Sequence, residues 1–329
     1  MDVVTSVEIV WRHSMPDAAR HLAWTDLGLV IARDDGHVVL VDDSTAGVRP
    51  VLEIGAPPTA LAAAGEVTVV GGLDGSLTHL ARGVRTVWHV AEPIVAAACV
   101  RGTVIVGHGT SARAVIPHPI DALDGGVGSV TAIGCAAGRL AAIGGTTGLA
   151  WVDTGLLVVD GRIDLPTIVS VAHDPRERVV ACGDLGGSIH VLRPGTGEAN
   201  ELTGYPDRVD LIAFAASGRA LCACASDEMT VWPVDDDGAV DEPEPLRLVG
   251  HDEPITALAA SEVDDLAVTG DASGLVRVWA PLLLDRPVAT LRTEGVVLSI
   301  SWRPDGRSFA ISSSAGTLLF ADVRPGAVV

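Results

Sequence analysis

The chain has 329 residues, 48% of them apolar and only 3% aromatic, and a formal net charge of −20. Its 22 basic residues are all arginine, with no lysine anywhere. So acidic a surface repels a phosphate backbone, which argues against nucleic-acid binding and favours a basic partner.

In chain order, Val7-Glu8-Ile9-Val10-Trp11 comes first, a β-rich segment with no unit of its own to join. Eight three-strand units follow, with first strands beginning near Arg20, Thr59, Ile94, Val130, Thr167, Val209, Ile255 and Val297. Between the second and third strands of each unit stands a turn signal: Asp34-Asp35-Gly36, Asp74-Gly75, Gly109-Thr110, Thr147-Gly148, Asp184 to Gly187, Ser226-Asp227, Ser273-Gly274 and Ala315-Gly316. These residues tolerate positive φ or hydrogen-bond their own backbone. Fourth strands fall between units, for example at Val51 to Ile54, Thr86 to Val90, Leu156 to Val159, Leu246 to Val249 and Val288 to Leu291. Seven gaps serve eight units, so one unit is short of a strand. An open sheet edge leaves backbone donors and acceptors unpaired, and residues 5–13 are therefore expected to pair beside Thr317 to Val323 as the outer strand of the last unit. The expected fold is an all-β, eight-bladed β-propeller of four-stranded antiparallel blades, one domain over 1–329, with seven blades as the alternative. Small Ala, Val, Leu and Gly side chains suit stacked sheets buried on both faces.

Residues 248–280 are the best-written unit. Gly250-His251 precedes two apolar stretches, and the third strand closes on Trp279. This unit, and more faintly nearly the whole chain, resembles the WD-repeat β-propeller family. Trp232 closes another third strand, while Val41, Leu80, Val152, Leu192 and Ala321 hold the equivalent place elsewhere; Asp42, Asp153 and Asp322 match the aspartate that follows. The resemblance implies a hydrogen-bonded tetrad of His, a second-strand Ser or Thr, a turn Asp and Trp. His251, Thr269 and Trp279 fit it, but Ser273 stands at the expected aspartate position, so the tetrad is expected to be incomplete.

No segment reaches the roughly eighteen uncharged apolar residues of a membrane helix. The opening Met1-Asp2-Val3-Val4-Thr5 lacks the basic start and apolar core of a secretory signal, so the expected compartment is cytoplasmic. Cys99, Cys135, Cys182, Cys222 and Cys224 are odd in number and read as small buried thiols of a reducing compartment.

A nucleophile motif is not found: there is no Gly-x-Ser-x-Gly, no phosphate-binding loop and no Cys-x-x-Cys. His21, His79, His108, His173, His190 and His251 fall on different units and offer the one enzymatic alternative, a small-molecule or metal-dependent site assembled at the mouth of the central channel. Neither a cofactor nor a metal is expected. The favoured reading is a non-enzymatic interaction scaffold, or an accessory subunit of a larger assembly, that binds protein through the propeller rim. Rim candidates are Arg33, Asp35, Asp74, His108, Asp184, Asp227 and Asp271 in the turns, and Met15-Pro16-Asp17, Tyr205-Pro206-Asp207-Arg208 and His251-Asp252-Glu253-Pro254 in the loops. Tyr205, the only tyrosine, beside Arg208 has hot-spot chemistry, although a loop tyrosine is more often a local packing cap. The acidic run from Pro233 to Pro245 is expected to be a solvated outer connection in the sixth unit.

Overall fold

The computed structural model describes residues 4–42, 44–100, 103–116, 118–135, 138–240 and 244–325. Eight four-stranded antiparallel sheets stand in a ring. Their innermost strands are Ala19–Thr25, Pro58–Ala64, Ile94–Val100, Val130–Cys135, Ile168–His173, Leu211–Ala215, Ile255–Ala260 and Val297–Trp302. Each packs on the next, and Ala19–Thr25 meets both Pro58–Ala64 and Val297–Trp302, which closes the circle. Blades 1 to 7 run from inner to outer strand in chain order. In blade 8 the outer strand is the N-terminal one: Val4–Ser14 pairs antiparallel with Thr317–Pro325, Val7 opposite Val323 and Ser14 opposite Thr317. The ring is thus eight-bladed and sealed where the sequence places the seal. Two outer strands that the sequence reading did not place are His118–Leu123 and Glu198–Leu202. The second carries exposed residues on both faces except Leu202, so it lacks the alternation by which a strand is recognised.

Two repeated devices let the sheets approach closely. Gly71, Gly107, Gly144 and Gly270 on second strands lie against the side chains of Ile94, Val130, Ile168 and Val297, the leading residues of the next blade; a Cβ at any of them would overlap those atoms. Hydroxyls then bridge the blades. Thr59, Thr131 and Thr256 donate to the carbonyls of Ile168's counterparts around the ring: Thr59 to Ile94 at 2.5 Å, Thr131 to Ile168 at 2.5 Å and Thr256 to Val297 at 2.6 Å. Tryptophans seam the closure, Trp24 Nε1 donating to the Ser301 carbonyl at 3.2 Å and Trp302 Nε1 to that of Ala259 at 3.1 Å. Trp11 of the N-terminal strand stacks on Phe320, centroids 5.2 Å apart.

Blade 6 breaks the pattern. In the other seven blades the pairing of first and second strands slips by one residue just after the strand begins, as between Ile255 and Ala257, a bulge that increases local twist. Leu211–Ala215 pairs with Ala220–Ala225 without such a slip. Its second and third strands are joined by a tight turn, with Ala225 paired to Glu228 across Ser226-Asp227. Ser226 takes the left-handed φ of +62° that so short a turn demands.

Candidate functional site

Blade 7 holds a complete tetrad, which corrects the expectation that Ser273 interrupts it. The aspartate is Asp271, the last residue of the second strand. Trp279 Nε1 donates to Thr269 Oγ1 at 2.8 Å. The hydroxyl hydrogen then goes to His251 Nε2 at 2.7 Å, which leaves Nδ1–H to donate to Asp271 Oδ2 at 2.7 Å. The other carboxylate oxygen, Oδ1, accepts from Ser273 N, Ser273 Oγ and Leu275 N at 2.8 to 3.0 Å. Ser273 is therefore a donor to the tetrad. Burial lowers the pKa of His251 against the pull of Asp271, consistent with a neutral ring. Burial pushes the Asp271 carboxyl up, but the donors around it outweigh that and hold it below the ordinary carboxylate range.

In blade 6, register aligns Trp232 with Trp279, Ala223 with Thr269 and Ala225 with Asp271. The tetrad's hydroxyl and carboxylate are both gone. Tyr205, in the place of His251 after a shared glycine, rebuilds a shorter chain. Trp232 Nε1 donates to Tyr205 Oη at 2.8 Å, Tyr205 Oη to Thr230 Oγ1 at 2.6 Å, and Thr230 to the Ala223 carbonyl at 3.2 Å. Burial raises the Tyr205 pKa in spite of these bonds. Tyr205 is thus a half-buried cap whose hydroxyl points inward, the packing role that a loop tyrosine more often has. Arg208 pairs with Asp210 at 2.6 Å instead.

Several rim candidates also turn inward. Asp271, Asp184, His251 and His108 are buried, because a turn carboxylate folds back to accept its own turn's N–H groups and a histidine then packs over it. Asp184 accepts from Gly186 N and Ser188 N and bonds His190 Nε2 at 3.0 Å. His108 lies against Arg113 Nε at 3.2 Å. Arg33 is largely covered and pairs with exposed Asp35. Asp74, Arg208 and Asp227 are exposed.

The histidines do not converge on the axis. The channel, about 320 Å³, is lined by first-strand residues, mostly aliphatic, with His21, Thr59, Ser170 and Asp210 as its polar members. His79 packs against Trp88, His173 is buried at the end of its strand, and His190 and His251 are engaged by their aspartates. Among the described residues no group of three or more His, Cys, Asp or Glu gathers as a metal site would require. Among the described residues no helix is long and apolar enough to cross a membrane. Cys182, Cys222 and Cys224 are buried and Cys99 and Cys135 half-buried; burial pushes the Cys135 and Cys222 thiols up to about 12.

The acidic connection after Trp232 is tied down. Val234 and Val240 are buried with blade 5, Arg178 donates to the Asp235 carbonyl at 2.6 Å and Arg193 to that of Asp237 at 2.7 Å. Arg178 also grips buried Asp174 at 2.6 Å and the Gly218 carbonyl at 2.7 Å. Residues 241–243 of this run lie outside the described residues.

Exposed carboxylates also stand in the loops before first strands and in the blade 6 turn. Asp207, Asp227, Asp252 and Glu253 are exposed, and Ile255 N donates to the Ser226 carbonyl at 2.8 Å, which ties the loop of Asp252 and Glu253 to the turn of Asp227. The sequence reading placed these residues on the rim without grouping them; the loop of Asp207 is tied instead to the blade 5 turn, where Val209 N donates to the Asp184 carbonyl.

Residues 244–280, which carry the complete tetrad, match the family described as WD domain, G-beta repeat. Blade 7 thus matches a WD repeat, within a ring of eight four-stranded blades. The propeller is 30% identical over 125 residues to periodic tryptophan protein 2 homolog of Schizosaccharomyces pombe, covering 37% of this chain and 14% of that one. It is 25% identical over 177 residues to guanine nucleotide-binding protein subunit beta of Oryza sativa subsp. indica, covering 50% of this chain and 47% of that protein. The propeller thus spans less than half the length of these relatives. In fold it is similar to the computationally designed Ika8 protein, with a TM-score of 0.79 at 21% identity over 94% of this chain and 97% of that chain.

Proposed function

We propose that this propeller is a non-enzymatic, cytoplasmic interaction scaffold, an accessory subunit of a larger assembly, that docks a basic protein partner on the face of blades 6 and 7. The observation that carries this reading is the exposure of Asp227, Asp252 and Glu253 on two loops tied together by the bond from Ile255 N to the Ser226 carbonyl, in a chain with a net charge of −20. Like charges held together on a stiff support steer an oppositely charged partner and fix its register. The name of one relative, a subunit beta, agrees with a part played inside an assembly. Affinity purification from the source organism in increasing salt tests the reading. A partner copurifying at fixed stoichiometry and released as salt screens the charges supports it. Recovery of the propeller alone at low salt contradicts it.

A further inference from the structure

Beside Asp227, blade 6 leaves a notch of about 150 Å³ bounded by Tyr205, Pro206, Trp232, Pro245, Glu228 and Arg247. Its origin lies in the broken repeat. Ala225 takes the place that Asp271 has in blade 7, and the turn is one residue shorter. The polar ends of both rings are spent on the inner chain through Thr230. What Tyr205 and Trp232 offer the notch is therefore aromatic carbon. Glu228 Oε2 pairs with Arg247 Nη1 at 3.0 Å, but Glu228 Oε1 is buried and meets no donor among the described residues. An ionised carboxylate accepts through both oxygens, and one left without a donor is unfavourable. Asp227 stands exposed at the lip.

We propose that this notch receives an arginine side chain of the protein partner. The inference rests on the interaction-face reading given above. A dry cavity of similar volume holds a benzene, about six heavy atoms, which is a guanidinium with two methylenes. A guanidinium stacks on aromatic rings and spreads five N–H donors in one plane, so that one edge faces the partly exposed Glu228 carboxylate while a second edge faces Asp227. An ammonium is a strongly hydrated point charge and gains less from the rings.

The test uses the intact protein labelled with ¹⁵N-tryptophan, the Trp232 indole resonance being assigned with Trp232→Phe. N-acetylargininamide and N-acetyllysinamide are titrated separately at low ionic strength. The expected result is a saturable shift of the Trp232 indole with the arginine probe, at least fivefold weaker with the lysine probe, while the Trp279 indole stays still. Glu228→Gln should weaken the arginine response at least fivefold, and Asp227→Asn, at an exposed turn, should weaken it without touching the core. No saturable shift, an equal response to both probes, or unaltered affinity in both variants would overturn the assignment. An arginine response without any copurifying partner counts against the interaction face alone. A bound partner that leaves Trp232 undisturbed counts against the notch alone.

Discussion

Replacing Asp271 with alanine removes the group on which the blade 7 tetrad and its turn both depend. The lost charge-assisted bond from His251 is worth about 1.5–3 kcal/mol, and leaving buried donors on His251 and in the turn without an acceptor costs about 1–3 kcal/mol more. The sum, roughly 3–5 kcal/mol, is the usual cost of breaking a buried pair. An unfolding entropy of about 2.1 cal/mol/K per residue gives roughly 0.7 kcal/mol/K for a chain of this length, so Tm should fall by about 4–7 °C. Thermal unfolding followed by circular dichroism at neutral pH reads this directly. The pH dependence gives an internal check. The folded pKa of Asp271 is depressed, so its contribution is full above the unfolded value of about 3.9 and is lost as pH falls through the folded value. The gap between wild type and Asp271→Ala should therefore narrow below about pH 4. A fall in Tm of less than about 1 °C at neutral pH would refute the assignment of Asp271 as the fourth member of the tetrad.

Burial lowers the His173 pKa from 6.5 to about 4. The unfolded chain thus takes up a proton that the folded chain refuses, and stability should drop by about 3 kcal/mol as pH falls from 6.5 to 4. His173→Gln should flatten that limb of a denaturant titration; an unaltered limb contradicts this source. Arg178→Ala, which strands buried Asp174 and frees the Asp235 and Gly218 carbonyls, should destabilise by about 3–5 kcal/mol and speed proteolysis within residues 235–240. A cost under about 1 kcal/mol would mean that the clasp between blades 5 and 6 is idle. Deleting residues 1–14 exposes the full edge of Thr317–Pro325, and the melting temperature should fall sharply; an unchanged melting curve rules out a sealing role for the N-terminal strand.

The ring was legible because turn signals and short apolar runs recur about every forty residues, a regularity that a single irregular blade does not hide. Glu198–Leu202 was not, since an exposed outer strand needs no apolar residue to hold its backbone pairs. The tetrad was misaligned because Ser273-Gly274 is the visible turn signal, whereas Asp271 ends the strand before it and caps the turn from within. For the same reason the turn residues Asp184, His108 and Asp271 looked like rim contacts. Turn chemistry says that such a carboxylate bonds its own backbone, but not that neighbouring side chains then bury it, as they do at Asp184 and Asp271. Tyr205 had a usable signal: Gly204-Tyr205 stands where Gly250-His251 does, with Trp232 matching Trp279. The partners of Arg178 had none, because Asp174, Gly218 and Asp235 meet only when two blades are stacked.

The central claim is that the acidic face of blades 6 and 7 docks a basic protein, and charge reversal tests it most directly. Once the copurifying partner is in hand, its binding to wild type and to a triple variant, Asp227→Arg, Asp252→Arg and Glu253→Arg, is measured by isothermal titration. All three side chains are exposed, so the fold should be unaffected. The account predicts at least a hundredfold loss of affinity, about 2.7 kcal/mol, and a shallower dependence on salt; equal affinity in the two proteins would contradict it.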